Sequence, residues 1–152
     1  MQRPLGYSLL AVFLGFSSLG ALFGLTTWPS AMSQFHIGIG PAFYTLMIAG
    51  AATGLGAARS LWLYQRRAPE WFIAWAAVGL ASAAYSTVVI MPQMMTAMGG
   101  LFPGGFVPGE IPASVLVTQL VFFLGVNGLI YWYLASRRRR GTAPGPQDTS
   151  VA

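Results

Sequence analysis

The sequence predicts an all-α, polytopic membrane protein: a bundle of four transmembrane helices with both termini cytoplasmic. Three observations predict it. Of 152 residues, 55% are hydrophobic and only 7% charged, whereas soluble domains carry about a quarter charged residues. Four apolar segments each exceed the ~20 residues that a ~30 Å hydrocarbon core demands of a helix. Arginine, finally, sorts to alternate connections, which sets the orientation of the chain across the bilayer.

The first span covers residues 5–28 and carries Gly20-xxx-Gly24 beside Ser17-xxx-Ala21. Small residues at this spacing let helix backbones approach closely, which matters in lipid because apolar burial alone does not drive association there. Residues 1–24 also fit a signal peptide, a charge followed by an apolar run ending in small residues. That run is longer than a usual h-region and no clean A-x-A site follows it, and cleavage would leave three helices in the same orientation.

The second span, 41–65, opens on Pro41 and bears Gly50, Gly54 and Ala58 on one stripe. The third, 71–91, is rich in alanine and adds Gly79 with Ser82-xxx-Ser86. Small residues on so many faces place these two spans inside the bundle. The fourth, 113–136, holds Gln119 and Asn127, with Gly125 and Gly128 flanking the asparagine. Each amide is expected to bond across to another helix, worth about 1 kcal/mol. Pro4, Pro29, Pro41, Pro69, Pro92 and Pro112 all fall at or beyond predicted helix ends, where a missing N–H costs little. The second and fourth spans share a pattern, opening on Pro-Ala and closing on aromatics and arginine. A duplicated hairpin explains it, and so do shared interface constraints.

All eight basic residues are arginine, a compositional hint of a bacterial source. Arg3, the pair Arg66 and Arg67, and the run Arg137, Arg138, Arg139 and Arg140 mark the N-terminus, the second connection and the C-terminus. Connections 29–40 and 92–112 carry no arginine. This positive-inside pattern predicts a multi-pass protein of the cell membrane, a bacterial inner membrane, with N- and C-termini inside. Trp62, Tyr64, Trp71, Tyr131, Trp132 and Tyr133 then form the inner aromatic belt, and Trp28 and Tyr44 mark the outer one. Residues 137–152 form a basic tail rich further on in Pro, Gly, Ser and Thr, and disorder is expected there.

No Asp, Glu, Lys or His falls within a span. Proton-coupled transport usually needs an intramembrane carboxylate or histidine, and hydrolysis needs a nucleophile beside a base. The absence of cysteine removes thiolate ligands and nucleophiles. The positive charge is not interleaved with exposed aromatics, so a nucleic-acid partner is not expected. The remaining expectation is a non-enzymatic protein without a cofactor, an accessory or assembly subunit of a membrane complex. A membrane-protein partner or a homo-oligomer would supply its contacts. A small channel or transporter is the first alternative, built on the possible repeat and on Gln119 and Asn127.

The second alternative is Cu(I) binding or handling at the outer face. In the stretch MPQMMTAM, Met91, Met94, Met95 and Met98 recur at i, i+3, i+4 and i+7, one face of a helix, and Met32 and His36 lie in the other outer connection. Thioether sulfur selects Cu(I) and imidazole suits copper too. The same spacing describes an apolar stripe packed onto the bundle, and Pro92 speaks against an unbroken helix through Met91.

The Gly/Pro-rich outer connection that follows repeats Gly-Gly, an apolar pair and Pro at 99–103 and 104–108, a turn-forming pattern expected to cover the outer mouth or receive a partner. At the inner face, Arg59 is the single charge inside a span, with Arg66 at i+7 on roughly the same face. Snorkelling to the headgroups accounts for Arg59; a clamp on an anionic lipid or on a partner's carboxylate is the alternative. The tail run Arg137 to Arg140 is expected to anchor topology on anionic lipids of the cytoplasmic leaflet.

Overall fold

A computed structural model of the chain describes residues 5–99 and 113–139. Helix α1 runs Leu5–Gln34, α2 Pro41–Trp62, α3 Ala68–Tyr85, α4 Met91–Gly99 and α5 Ala113–Arg139, with a π-helical turn, Ser86–Ile90, joining α3 to α4. Among the described residues every regular element is a helix. Four stretches are long and apolar enough to cross a membrane, and the third runs unbroken from Ala68 to Ala97.

Two prolines lie inside helices rather than at their ends. Pro29 falls within α1, which continues to Gln34 instead of stopping at Trp28. Proline deletes a donor and presses on the carbonyl one turn back. The helix nonetheless continues, and the hydroxyls around Pro29 bond carbonyls other than that of Leu25, the one left without its donor. Thr26 and Thr27 both donate to the Phe23 carbonyl, Ser30 to Thr27 and Ser33 to Ser30. Pro92 likewise does not end the third span at Met91. The helix widens just before it, where the Met91 N–H reaches back to the Ser86 carbonyl, and then resumes as α4. A π turn adds a residue to the ring and relaxes the ladder where it is interrupted. The first eight residues of the expected outer loop, 92–99, are therefore helical. The rest of that loop, 100–112, lies outside the described residues.

Both described hairpin turns end their helix in the same way. After α1, the Ile37 N–H bonds the Met32 carbonyl and the His36 N–H bonds that of Ser33, with His36 at φ 55°. After α2, the Gln65 N–H bonds the Ser60 carbonyl and the Tyr64 N–H bonds that of Leu61, with Tyr64 at φ 54°. This is the Schellman pattern, in which a left-handed residue satisfies the last carbonyls. It stops α2 at Trp62 rather than at Gln65, so Arg66 sits in the turn and not one heptad beyond Arg59 on a shared helix face. Helix α3 starts at Ala68, with Pro69 in its first turn where no donor is missed. Helix α5 extends through Arg137, Arg138 and Arg139, which are helical rather than tail. Arg140 and the rest of the tail lie outside the described residues.

Packing follows heptad seams. On α1 the buried Tyr7, Ala11, Leu14 and Ser18 are spaced four, three and four apart. On α2 the inward residues Phe43, Met47, Gly50, Gly54, Ala57 and Leu61 keep the same rhythm. That is the spacing of left-handed antiparallel packing, and α2 lies between α1 and α3. Gly54 is the tightest point. A Cβ there would collide with Ser18 Oγ of α1 and come 2.9 Å from the indole of Trp75 on α3. The stripe expected on α2 is thus real at Gly54 and Gly50, the latter facing Val78. On α1 the stripe is displaced: Gly24 is buried against Met47, whereas Gly20 has open space around it.

Two apolar clusters close the ends. At the arginine-marked end Tyr7, Ala11, Leu14, Ala57, Leu61, Ala68, Phe72 and Leu134 draw all four spans together. At the other end Met32, Ile37, Phe43 and Ile90 form a smaller cluster. Helix α5 is the outlier. It lies against α3, with the Phe123 ring on Gly79, and its inward seam of Phe123, Asn127, Ile130 and Leu134 has only Leu134 fully buried.

Gly54→Ala is expected to destabilise the bundle by about 1–3 kcal/mol through overpacking. Gly125→Ala, with nothing within 4 Å of the new methyl, is expected to be neutral or to stabilise by up to about 1 kcal/mol through helix propensity. Unfolding in mixed micelles, followed by circular dichroism, checks both; equal effects would remove Gly54 from the crossing point.

Candidate functional site

The methionine end is assembled from three elements. The turn after α1 places Met32 and Ile37 together, as the Schellman pattern commonly does with the residues at its two ends. Phe43 enters from the first turn of α2 and Ile90 from the π turn, and Met32 is only 5% exposed. Met47 and Met94 pack against this cluster with Ile39 and Tyr85. Three thioethers, Met32, Met47 and Met94, thus border one apolar cluster from α1, α2 and α4.

The sequence-derived set is only partly brought together. Met91 is exposed, and Met95 is half-buried on the same short helix. Met98 lies on α4, and its side chain is outside what the structure describes. His36 is exposed and occupies the left-handed position of the turn, a conformation in which histidine is enriched among non-glycine residues. Its ring borders an open recess of ≈ 490 Å³ with Phe35, Pro92, Gln93, Thr96 and Ala97. The histidine is therefore exposed where Met32 is buried.

Gln93 is the residue that reading the sequence missed. Its amide nitrogen donates to the Val89 carbonyl at 2.9 Å, and its amide oxygen accepts from the Gly38 N–H at 3.0 Å. One side chain thereby fastens the α1–α2 connection to the start of α4. No local pattern marks it: its amide nitrogen meets the carbonyl one turn back on its own helix, and its other partner lies 55 residues away in the chain.

The polar residues of α5 behave differently from expectation. The Asn127 amide nitrogen donates to the Phe123 carbonyl of its own helix at 2.8 Å and not across to another. Gln119 is exposed, flanking the outer continuation of the α5 seam. Hydroxyls within the spans follow the same rule. Ser18, Thr53 and Thr87 each donate to a carbonyl of their own helix. Back-bonding of this kind satisfies a hydroxyl without needing a partner helix.

The other end gathers charge and aromatic rings. Tyr7 stacks on Tyr64 with ring centroids 5.6 Å apart and lies 6.2 Å from the Tyr133 ring. The Tyr7 hydroxyl also reaches the Leu134 carbonyl at 3.5 Å. This cluster ties α1 and α5 to the turn that carries Arg66 and Arg67. Arg59, Arg66 and Arg67 are exposed there, and Arg137, Arg138 and Arg139 form the last turn of α5. Among the described residues no three of the types His, Cys, Asp or Glu come together as a metal-holding group. Comparison with known proteins gave no matching family model, no matching curated protein and no matching solved structure.

Gln93→Leu is expected to cost about 1–2 kcal/mol by leaving the Gly38 N–H without its acceptor. Amide exchange at Gly38 should accelerate while exchange in α2 stays unchanged; unaltered protection at Gly38 would show that the clasp does not form. His36→Gly is expected to hold or raise the melting temperature, and His36→Val to lower stability by about 1–2 kcal/mol, because a β-branched residue resists the left-handed region.

Proposed function

We propose that this chain is a non-enzymatic, multi-pass integral membrane protein serving as an accessory or assembly subunit of a larger membrane complex. Both termini are placed on the cytoplasmic side of the cell membrane. The observation that carries the subunit reading is helix α5. It is apolar enough to span, yet Leu134 is its one fully buried described residue, and Val117, Val121, Phe122, Leu129 and Trp132 are each more than half exposed. A Cβ at Gly125 or Gly128 would meet nothing from another helix within 4 Å, and Gln119 holds an exposed amide near the outer end of the span. Small residues and a polar side chain on a lightly docked helix suit close contact with a further transmembrane helix. The orientation rests on arginine, which crowds the end where Tyr7, Tyr64 and Tyr133 meet.

One further reading has a specific observation behind it. Met32, Met47 and Met94 border one cluster from three helices, and thioethers so placed suit Cu(I). The channel or transporter reading draws nothing from Asn127, whose amide nitrogen is bound within its own helix.

A photo-crosslinking residue in place of Phe122 is expected to yield a discrete adduct in native membranes, whereas the same probe in place of Leu9 should not. Recovery of a free monomer in mild detergent, together with no adduct at Phe122, would overturn the subunit reading. Under anaerobic Cu(I) titration, Met32→Leu, Met47→Leu and Met94→Leu together should abolish tight binding if the copper reading is right; wild type that binds no better than this variant ends it.

A further inference from the structure

The inner hairpin, where α2 turns into α3, holds a feature that the subunit reading does not use. Gly56 on α2 has no side chain, and the indole of Trp71, in the first turn of α3, fills the space: a Cβ at Gly56 would come within 3.0 Å of three ring atoms. Arg59 lies three residues further along α2, one turn closer to the membrane surface and on the same side of that helix. Both side chains are exposed. An exposed arginine and an exposed indole therefore flank the same end of the α2–α3 seam.

We infer that this end of the seam is a binding site for the headgroup of an anionic phospholipid, with Arg59 as the phosphate ligand and Trp71 against the glycerol region. Three features support this occupant. Arg59 is one helical turn deeper than Arg66 and Arg67, so its guanidinium meets the phosphate layer rather than bulk water. The fork of N–H donors on arginine matches two phosphate oxygens at once, and tryptophan settles at the headgroup level of a bilayer. Among the described residues this end carries six arginines (59, 66, 67 and 137–139) and one carboxylate, Glu70, an excess of positive charge that suits an anionic ligand. The competing account is that Arg59 only snorkels past the lipid. Snorkelling requires charge alone and draws no distinction between this arginine and any other at the same end.

The full chain, reconstituted into phosphatidylcholine vesicles doped with spin-labelled phosphatidylglycerol, tests the site. Wild type is expected to hold a motionally restricted phosphatidylglycerol population favoured about three- to fivefold over labelled phosphatidylcholine. Arg59→Gln should remove most of that preference, and Arg59→Lys should restore only part of it. Arg138→Gln removes the same unit of charge from the end of α5 and should reduce the preference far less. Circular dichroism of each variant confirms that the helices remain. Equal losses in R59Q and R138Q, or no loss in R59Q, would overturn the site. So would displacement of the label by inorganic phosphate in solution, which would identify a free anion as the ligand, and so would a wild type without preference, which would turn the site toward an acidic protein.

Discussion

Three helices meet at Gly54, and the rest of the molecule is arranged around that contact. In lipid the apolar side chains gain nothing by leaving one another for the bilayer or the reverse, so helices hold together by close van der Waals contact and a few polar bonds. Gly54 provides the closeness: Ser18 approaches from α1 and the Trp75 indole from α3, both into the space where a Cβ would stand. Neither neighbour can move far. Ser18 is buried and bound to the Leu14 carbonyl, and Trp75 lies against Phe72 and edge-on to Phe13. The antiparallel seams on α1 and α2 spread outward from there, and the two end clusters close them.

Against this three-helix unit, α5 lies along α3 and is fully buried only at Leu134, where Tyr7 and Tyr133 come together. The asymmetry has a physical source. The α5 seam offers Phe123 to Gly79 and Leu134 to the inner cluster, but between them Asn127 turns its amide nitrogen back on its own backbone. A donor spent on its own helix gives no hold on a neighbour. The helix is thus fixed at one end and sparsely packed toward the other, which is the property on which the subunit reading rests.

Much of the fold was legible because lipid imposes simple rules. Length and apolarity located the four spans, and Gly50 and Gly54 were recognisable as contact residues. What misled was proline. Pro29 and Pro92 read as helix ends by the habits of water-soluble chains, where a lost hydrogen bond is readily replaced by solvent; in an apolar medium the helix bends or widens instead of stopping. On α1 the glycine pair was only half right: Gly20 and Gly24 each lie one residue off the continuation of the Tyr7, Ala11, Leu14 and Ser18 rhythm, and only Gly24 meets a neighbour, Met47. The methionine face was legible as spacing but not as a place. Met32, Met47 and Met94 come together only because the turn at His36 and the π turn before Pro92 bring three helices to one cluster, and no local pattern encodes that meeting. Gln93 escaped notice for the same reason: its partner, Gly38, is 55 residues away.

The account depends on which face of the membrane receives each end of the seam. Because the chain has no cysteine, a single introduced thiol reports its side without background. Gln34→Cys, at the methionine end, and Gln65→Cys, in the arginine-bearing turn, can be challenged in intact cells with a membrane-impermeant maleimide. The account predicts labelling of the thiol at 34 from outside and of the thiol at 65 only after the membrane is breached. Labelling of the thiol at 65 in intact cells, with the thiol at 34 protected, would invert the molecule and contradict it.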